Sequence, residues 1–316
     1  MRGGATGTRQ ARVRALAKIN LDLRVLGKRP DGYHELRTIF QTISLADTIE
    51  IAFTPERRTV VDLACDVEIP ANLVVRAAQL ALEAVRATGR VKIELVKRIP
   101  MGAGLGGGSS DAAAVLLALP VLAGRALSIA RLSELAEQLG SDVAFFLLGG
   151  AAAGIGRGSE LFPLPDGRPR AGLLVAPGLH VSTAEAYRRL SPRLTTESQQ
   201  NKIFSFQSQV WGEGDSQAAV NDFESVVFEQ HGRLAVLKRG LIRAGAETAL
   251  MTGSGSAVFG LFSTREQACR ALKSLGEKEA FPISLVSRAR YRSIWWRALD
   301  QHITGRIWPP RSPNAE

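Results

Sequence analysis

A glycine-rich stretch, PMGAGLGGGSSDAA at residues 100–113, is the part of the chain whose composition suggests chemistry most directly. Glycine leaves backbone N–H groups uncovered, so a run of glycines can turn several of them toward one ligand. The alanine-rich residues that follow, about 110–119, predict a helix, whose N-terminal end attracts negative charge. Ser109, Ser110 and Asp111 lie where this helix begins and could add hydroxyl groups for phosphate and oxygen atoms for Mg²⁺. The stretch therefore predicts a seat for the phosphate groups of a nucleotide.

Three common phosphate-binding patterns do not explain this stretch. The Walker A loop needs Gly-Lys followed by Ser or Thr, and the stretch contains no lysine. The pattern G-x-G-x-x-G matches at Gly102, Gly104 and Gly107, but the residues after it have helical spacing and no second strand ending in an acid. A protein-kinase loop would require His-Arg-Asp and Asp-Phe-Gly further on, and neither occurs. A glycine-rich surface loop without a ligand remains an alternative.

A fourth pattern fits. The arrangement Pro-x-Gly-x-Gly-Leu-Gly-x-x-Ser-Ser resembles the phosphate loop of the GHMP kinases, which include galactose, homoserine, mevalonate and phosphomevalonate kinases. This resemblance implies that ATP binds at Asn72 and at a continuous loop: Pro100, Met101, Gly102, Ala103, Gly104, Leu105, Gly106, Gly107, Gly108, Ser109 and Ser110. Asn72 would lie near the adenine, although a role as the N-cap of the next helix explains it as well.

Five further segments are similar to one family within the GHMP kinases, the 4-diphosphocytidyl-2-C-methyl-D-erythritol kinases. They occur in order at compatible spacings: AKINLDLRVLGKRPDGYHEL (17–36), IPANLVVRAA (69–78), LGSDVAFFLLGGAAAGIGRG (139–158), NDFESVVF (221–228) and GSGSAVFGLF (253–262). The resemblance implies ATP-dependent phosphorylation of the 2-hydroxyl group of 4-diphosphocytidyl-2-C-methyl-D-erythritol, giving the 2-phosphate and ADP, in non-mevalonate isoprenoid biosynthesis. Other GHMP kinases, for homoserine or mevalonate, are the alternative.

The resemblance also implies roles for single residues. Asp142 would be the general base that takes the proton of the hydroxyl group, and Lys18 would lie beside it, lowering its pKa and orienting the acceptor. The residues alone leave open an N-cap role for Asp142 and a solvated strand face for Lys18. Asn20 lies on the same side of the strand as Lys18 and could bind substrate.

The resemblance implies further site residues in three segments. Tyr33 and His34 would hold the cytosine ring by stacking and hydrogen bonding. Thr183 and Tyr187 match further substrate contacts, and residues 253–256 would form a second glycine loop at the nucleotide. The implied cofactors are ATP and Mg²⁺, and the sequence does not assign the metal ligands.

The elements that must position these residues indicate an α+β fold, because strands and helices mix without a regular βαβ order. Residues 17–26 alternate as a strand with one buried and one polar face, and residues 72–87 have helical spacing. The polar stretch 191–216, longer than the family pattern, predicts a loop. Prolines and glycines around 160–170 predict a boundary between domains 1–165 and 166–316. The resemblance implies a ribosomal-protein-like ATP-binding domain followed by a ferredoxin-like domain with a basic C-terminal tail.

Composition limits the function classes. Of the net charge of +10, residues 1–14 and residues 288–316 each carry +4, so the body is close to neutral and a nucleic-acid-binding role is a remote alternative. The longest apolar run, residues 112–123, is too short to span a bilayer, and no signal peptide is visible. The two cysteines predict reduced thiols, so we expect a cytoplasmic enzyme. We expect it to be a monomer or weak homodimer. Its partner would be a small-molecule substrate, with no membrane and no specific nucleic acid.

Overall fold

The computed structural model describes residues 7–194, 196–210 and 219–315, which form helices and strands in a mixed order and confirm the α+β class. The strands are β1 (Arg9–Lys28), β2 (His34–Pro55), β3 (Val60–Cys65), β4 (Gly89–Val96), β5 (Ala151–Gly156), β6 (Glu160–Pro163), β7 (Ala171–Val175), β8 (Thr248–Met251), β9 (Val258–Phe262) and β10 (Ala280–Ser284). The helices are α1 (Leu73–Ala84), α2 (Gly107–Leu122), α3 (Ile129–Leu139), α4 (Val143–Leu148), α5 (Thr183–Leu190), α6 (Thr196–Val210), α7 (Glu224–Gln230), α8 (Gly232–Arg243), α9 (Arg265–Leu275) and α10 (Arg288–Leu299).

The first sheet is built on a long antiparallel pair, β1 and β2, joined by the turn at Pro30-Asp31-Gly32. The early half of β2 also pairs with β5, and its later half pairs with β4, so the sheet runs β3-β4-β2-β5-β6 with β1 beside β2. Helix α2 packs against β1, β2, α1, α3 and α4, which explains why its residues from Ser110 to Leu122 are buried on every side. Its N-terminal end is thereby fixed at one point over the sheet.

The second sheet contains four antiparallel strands in the order β10-β7-β9-β8. Helices α8 and α9 contact its strands, and Leu173, Val175, Leu237 and Phe262 are among the side chains of that core. β6 belongs to the first sheet and β7 to the second, so the chain passes between the sheets close to the predicted boundary at 165/166.

The alternation predicted for residues 17–26 is present in β1, but its polar face is not solvated. Lys18, Asn20, Asp22 and Arg24 are each less than 5% exposed. Segments of the second half of the chain cover this face: Thr252 bonds to Asn20, and the backbone N–H of Val220 donates to Asp22. The solvated strand face that the residues alone left open for Lys18 is therefore excluded. Alternation shows which residues share a face and not what covers that face.

The polar stretch 191–216 is mostly helical rather than a loop. Helix α6 occupies most of it, and Phe206 is buried against Ile39 and Ala153 of the first sheet. Lys202 Nζ donates to the backbone oxygen of Val25 and to Asp222, which fixes the helix to β1. Residues 195 and 211–216 of this stretch lie outside the described residues.

The predicted basic tails are in large part ordered elements. The N-terminal arginines from residue 9 onward belong to β1. At the other end, Tyr291, Trp295 and Leu299 of α10 are buried in the core of the first sheet, so the C-terminal end does not stay with the second sheet. The arginines of this segment predicted a basic tail, but the aromatic residues between them form a buried helix face. Within the described ranges, no helix is both long and apolar enough to cross a bilayer.

Candidate active site

A cleft of about 1350 Å³ receives side chains from both halves of the chain. Its volume exceeds the ~300–1,000 Å³ typical of a site for one small molecule, which leaves room for two reactants. Fourteen of the predicted site residues line it: Lys18, Asn20, Tyr33, His34, Gly102, Gly104, Gly106, Ser109, Asp142, Thr183, Tyr187, Gly253, Ser254 and Gly255.

The glycine loop forms one wall and ends at the start of α2. Gly104 and Gly106 have φ angles of 79° and 68°, which residues with a Cβ rarely adopt. A Cβ on Gly106 would lie 2.9 Å from the ring of Phe146, so only glycine lets the loop pass this close. The backbone N–H of Lys18 donates to the oxygen of Leu105 at 3.0 Å, which fixes the loop to β1. The first N–H groups of α2 therefore end at the cleft, where they can bind an anion.

Several loop residues do not line this cleft. Pro100, Met101 and Ala103 line a separate cavity of about 110 Å³. Ala103 and Leu105 are buried. The hydroxyl group of Ser110 donates to the backbone oxygen of Leu16 at 2.7 Å and is not directed to a ligand. Gly107 and Gly108 form the first residues of α2 and would contribute through their backbone.

Asn72 caps helix α1 and does not line the cleft. Its Oδ1 accepts a hydrogen bond from the backbone N–H of Val74 at 3.0 Å, so the N-cap interpretation is correct for this atom.

The expectation that Asp111 supplies an oxygen near the phosphates is contradicted. Asp111 is 1% exposed, and its Oδ2 accepts a bond of 2.7 Å from Lys97 Nζ, which also donates to Asp47. Burial, together with the like charge of Asp47, raises the pKa of Asp111 to about 7 against the attraction of Lys97. Asp111 is the fifth residue of α2, after the first turn, and its side chain faces the protein interior.

Lys18 and Asp142 meet in the cleft. Lys18 Nζ lies 3.6 Å from Asp142 Oδ2, and the two side chains are 5% and 33% exposed. Burial lowers the pKa of Lys18, and the attraction of Asp142 opposes this effect. Asp142 directly precedes α4. Among the residues of that helix, all within the described part of the chain, none donates a capping hydrogen bond to its carboxylate. The carboxylate is therefore free to accept a proton from a reactant.

Asn20 joins the lysine to the second glycine loop. Its Oδ1 accepts hydrogen bonds from Lys18 Nζ at 2.8 Å, from Thr252 Oγ1 at 3.2 Å and from the N–H of Gly253 at 3.0 Å. Its Nδ2 donates to Thr38 Oγ1 at 2.7 Å. The bond from Lys18 Nζ to Asn20 helps to orient the ammonium group, so Asn20 acts on the protein itself.

An aromatic group forms another part of the cleft wall. The rings of His34 and Tyr187 stack with centroids 4.4 Å apart, and His34 Nε2 lies 2.7 Å from Ser191 Oγ. Burial, and secondarily the charge of Lys28, lowers the pKa of His34, which favours the neutral imidazole. Burial also raises the pKa of Tyr187 to about 12, with a smaller contribution from Asp142.

One contributor to this wall, Arg157, was not among the site residues predicted from the sequence. The guanidinium of Arg157 lies 3.6 Å from the centroid of the Tyr33 ring, and Tyr33 itself is 54% exposed. Thr183 Oγ1 lies 2.7 Å from Ser254 Oγ, which connects α5 to the second glycine loop. Arg157 stands between two glycines, and nothing in the neighbouring sequence indicates that it contacts Tyr33, which is far away in the chain.

Comparison with known proteins agrees with this geometry. Residues 72–150 match the GHMP kinases N terminal domain, and residues 207–279 match the GHMP kinases C terminal domain. A 4-diphosphocytidyl-2-C-methyl-D-erythritol kinase of Solibacter usitatus is 66% identical over 309 residues, covering 96% of this chain and 98% of that protein. A kinase of the same name from Pelotomaculum thermopropionicum is 44% identical, covering 80% of this chain and 90% of that protein.

Solved structures show the same fold. A crystal structure of 4-(cytidine 5'-diphospho)-2C-methyl-D-erythritol kinase is 38% identical, covers 87% of this chain and 98% of its own, and gives a TM-score of 0.71. Homoserine kinase from Cytophaga hutchinsonii gives a TM-score of 0.66 at 18% identity, with coverage of 91% and 97%, and shows the fold alone. The chain therefore belongs to the 4-diphosphocytidyl-2-C-methyl-D-erythritol kinase family of the GHMP kinases, and it is an ATP-dependent small-molecule kinase.

Proposed function

We propose that this kinase transfers the γ-phosphoryl group of ATP to the 2-hydroxyl group of 4-diphosphocytidyl-2-C-methyl-D-erythritol, giving the 2-phosphate and ADP. The reaction belongs to non-mevalonate isoprenoid precursor biosynthesis. The observation that carries the proposal is one cleft that joins a glycine-rich loop, the buried Lys18 beside the partly exposed Asp142, and the stacked rings of His34 and Tyr187. A relative covering 96% of the chain carries this substrate in its name.

Phosphoryl transfer needs positioning and charge neutralisation more than covalent help from the protein. The glycine loop and the N-terminal end of α2 hold the phosphates through backbone N–H groups. Asp142 takes the proton of the acceptor hydroxyl group, and the ammonium group of Lys18, 3.6 Å from Asp142 Oδ2, orients that carboxylate. Gly102, Gly104, Gly106 and Ser109 supply the cleft surface for ATP.

The aromatic wall selects the acceptor. Tyr33, His34 and Tyr187 provide ring faces and polar edges suited to a cytosine base, with Thr183 further along the cleft. Because the pKa of His34 is lowered, its neutral ring can accept a hydrogen bond as well as donate one. A small acceptor such as homoserine or mevalonate would not use this wall.

Magnesium fits this site as an ion carried by the nucleotide. Mg²⁺ keeps several waters and is usually bound by substrate phosphates with one or two protein oxygens. Among the described residues, no group of three or more His, Cys, Asp or Glu could hold a metal ion, and Asp111 is paired with Lys97. The hydroxyl group of Ser109 would be a protein oxygen for the ion. When bound, Mg²⁺ neutralises charge on the transferring phosphates.

Contacts of ATP with Asn72, Pro100 and Met101 remain predictions, since these residues lie beyond the main cleft. We also propose a monomer or weak homodimer that binds no specific nucleic acid and works in the cytoplasm, where ATP is available. Both cysteines, Cys65 and Cys269, are free thiols, which suits a reducing compartment.

Coupled ADP release tests the proposal. The purified protein is given ATP and Mg²⁺ with either 4-diphosphocytidyl-2-C-methyl-D-erythritol or the 4-phosphate of methylerythritol, which lacks CMP. We expect turnover with the cytidylated alcohol only. No turnover with the cytidylated alcohol despite measurable ATP binding would exclude this acceptor, and equal turnover of the 4-phosphate would exclude selection by the aromatic wall.

The Asp142→Asn variant tests the base. It should lose turnover by about 100-fold or more, because the amide cannot take the proton. The Kd for ATP should stay within about twofold, since Asp142 lies outside the phosphate loop. Near-normal turnover would remove Asp142 from this role.

A further inference from the structure

The helix that follows Asp142 is too short to hold its own position. α4 has six residues, fewer than two turns, and helices of this length are unstable without outside contacts. One carbonyl group of its last turn is satisfied locally, by the N–H of Gly149 donating to Phe145 at 2.9 Å. The next two carbonyl groups need donors from elsewhere.

Both donors come from the C-terminal end of the chain. The hydroxyl group of Tyr291 donates to the oxygen of Phe146, and Trp308 Nε1 donates to the oxygen of Leu147 at 3.0 Å. Tyr291 is 2% exposed, so its hydrogen bond does not compete with water. A Cβ on Gly149 would overlap the Tyr291 ring, which shows how closely α10 approaches the end of α4.

Trp308 is itself held in an aromatic cluster. Its ring meets Trp296 edge to face at 5.8 Å between centroids and lies 6.3 Å from that of Tyr291. The guanidinium of Arg292 lies 5.3 Å from its centroid. The two donors are therefore parts of one packed unit, α10 with the segment that follows it.

The other side of α4 touches the phosphate loop. The ring of Phe146 is the group that a Cβ on Gly106 would meet. This short helix thus follows Asp142 directly and contacts the glycine loop through Phe146. The carbonyl groups at its end accept hydrogen bonds from Tyr291 and Trp308. A shift of α4 would move the carboxylate relative to both Lys18 and the phosphate seat.

We propose that Tyr291 and Trp308 are positioning residues for phosphoryl transfer, because their hydrogen bonds to the carbonyl groups of α4 hold Asp142 in place beside Lys18. This inference rests on the proposed role of Asp142 as the base. It assigns a part in catalysis to a segment that does not line the cleft.

Turnover of three variants separates positioning from stability. Tyr291→Phe and Trp308→Phe keep an aromatic ring and remove the donor, and each should lower kcat about 2- to 10-fold, the loss expected for one hydrogen bond. KM for ATP and for the alcohol should stay within about twofold. Leu299→Ala is the control, because Leu299 is fully buried in the same helix but carries no donor. It should lower the melting temperature yet leave kcat at about 25 °C near the parent value.

A double-mutant cycle decides whether the effect passes through Asp142. In the Asp142→Asn background, measured at high enzyme concentration, Tyr291→Phe should cause no further loss of the residual turnover. An equal loss of kcat in both backgrounds, or an equal loss in Leu299→Ala, would overturn the proposal.

Amide hydrogen exchange gives a readout that does not depend on turnover. In Tyr291→Phe, peptides covering residues 143–149 should exchange about 2- to 10-fold faster, whereas those covering α1 should not change. Unchanged exchange in α4 would overturn the positioning role. If the parent enzyme phosphorylated none of the acceptors, the proposed function would fail. Amide hydrogen exchange would still test whether the hydrogen bond from Tyr291 holds α4 in place.

Discussion

At the scale of single residues, Lys18 is placed where its charge is costly. It is buried, and burial lowers its pKa below the ordinary 10.5 despite the neighbouring Asp142. Between the lowered value and 10.5 the folded protein binds fewer protons than the unfolded chain, so this residue makes the free energy of unfolding rise with pH there. The burial of Lys18 therefore costs stability, which its proposed role beside the base would explain.

Replacing Lys18 by Met should separate its effect on turnover from its effect on stability. We expect kcat to fall by about 100-fold or more, because the base loses its neighbouring cation. The free energy of unfolding should be equal or higher at neutral pH, since an apolar side chain of similar length removes a buried charge and Asp142 stays partly solvated. Turnover and urea unfolding measure the two effects. A large loss of both would show that Lys18 is needed for folding.

Asp111 should make stability depend on pH. Its folded pKa of about 7 lies above the ordinary 3.8, so the folded protein binds more protons between these values and stability falls as pH rises through them. Asp111→Asn removes the titrating proton. The difference in unfolding free energy, parent minus variant, should decrease from about pH 5 to about pH 8. Urea unfolding across this range gives the difference, and a constant value would contradict the buried, shared arrangement with Asp47.

At the scale of elements, the two glycine loops interlock. Thr252 Oγ1 donates to the oxygen of Gly104 at 3.2 Å, and the N–H of Ala257 donates to the oxygen of Ala103 at the same distance. A Cβ on Gly104 would overlap the carbonyl oxygen of Thr252. The first glycine loop, the proposed phosphate site, is thus braced by a loop from the second sheet.

Gly104→Ala should therefore separate the loops. With a φ of 79° and no room for a methyl group, the substitution should cost about 1–3 kcal/mol of stability and raise the Kd for ATP about tenfold. Gly232→Ala is the control: a Cβ there meets nothing within 4 Å, at the start of α8. Calorimetric ATP binding and thermal unfolding distinguish the two variants. An unchanged Kd for Gly104→Ala would show that the loops move independently.

Elements with a local signal could be predicted, and contacts between distant segments could not. Three features depend only on neighbouring residues and could therefore be predicted from the sequence: the alternation of β1, the N-cap Asn72 and the glycine loop before α2. The burial of Lys18 and the inward turn of Asp111 depend on Thr252 and Lys97, whose positions only the fold determines. The helix at α6 was missed because its apolar anchor, Phe206, stands in a polar stretch.

At the scale of the whole molecule, the C-terminal end completes the first core. Tyr291, Trp295 and Leu299 are each at most 2% exposed. Burying three such side chains contributes roughly 5–9 kcal/mol, comparable with the whole free energy of unfolding of a domain, about 5–15 kcal/mol.

A chain ending at Ser287 should consequently fail to fold stably. We expect loss of the cooperative thermal transition or a melting temperature lowered by more than about 10 °C. The control, Arg290→Gln with Arg297→Gln, changes exposed charges on the same helix and should melt like the parent. Circular dichroism follows both. A truncated chain as stable as the parent would mean that α10 adds nothing to the core.

This closing of the first core by the last helix has a consequence for synthesis on the ribosome. The segments with Lys18, the glycine loop and Asp142 leave the exit tunnel long before Tyr291 and Trp308 are translated. Until then the first sheet carries an uncovered apolar face, which chaperones would recognise. A chain released before Trp308 would lack both that cover and the donors of α4, so translation must pass this residue before a competent kinase can form.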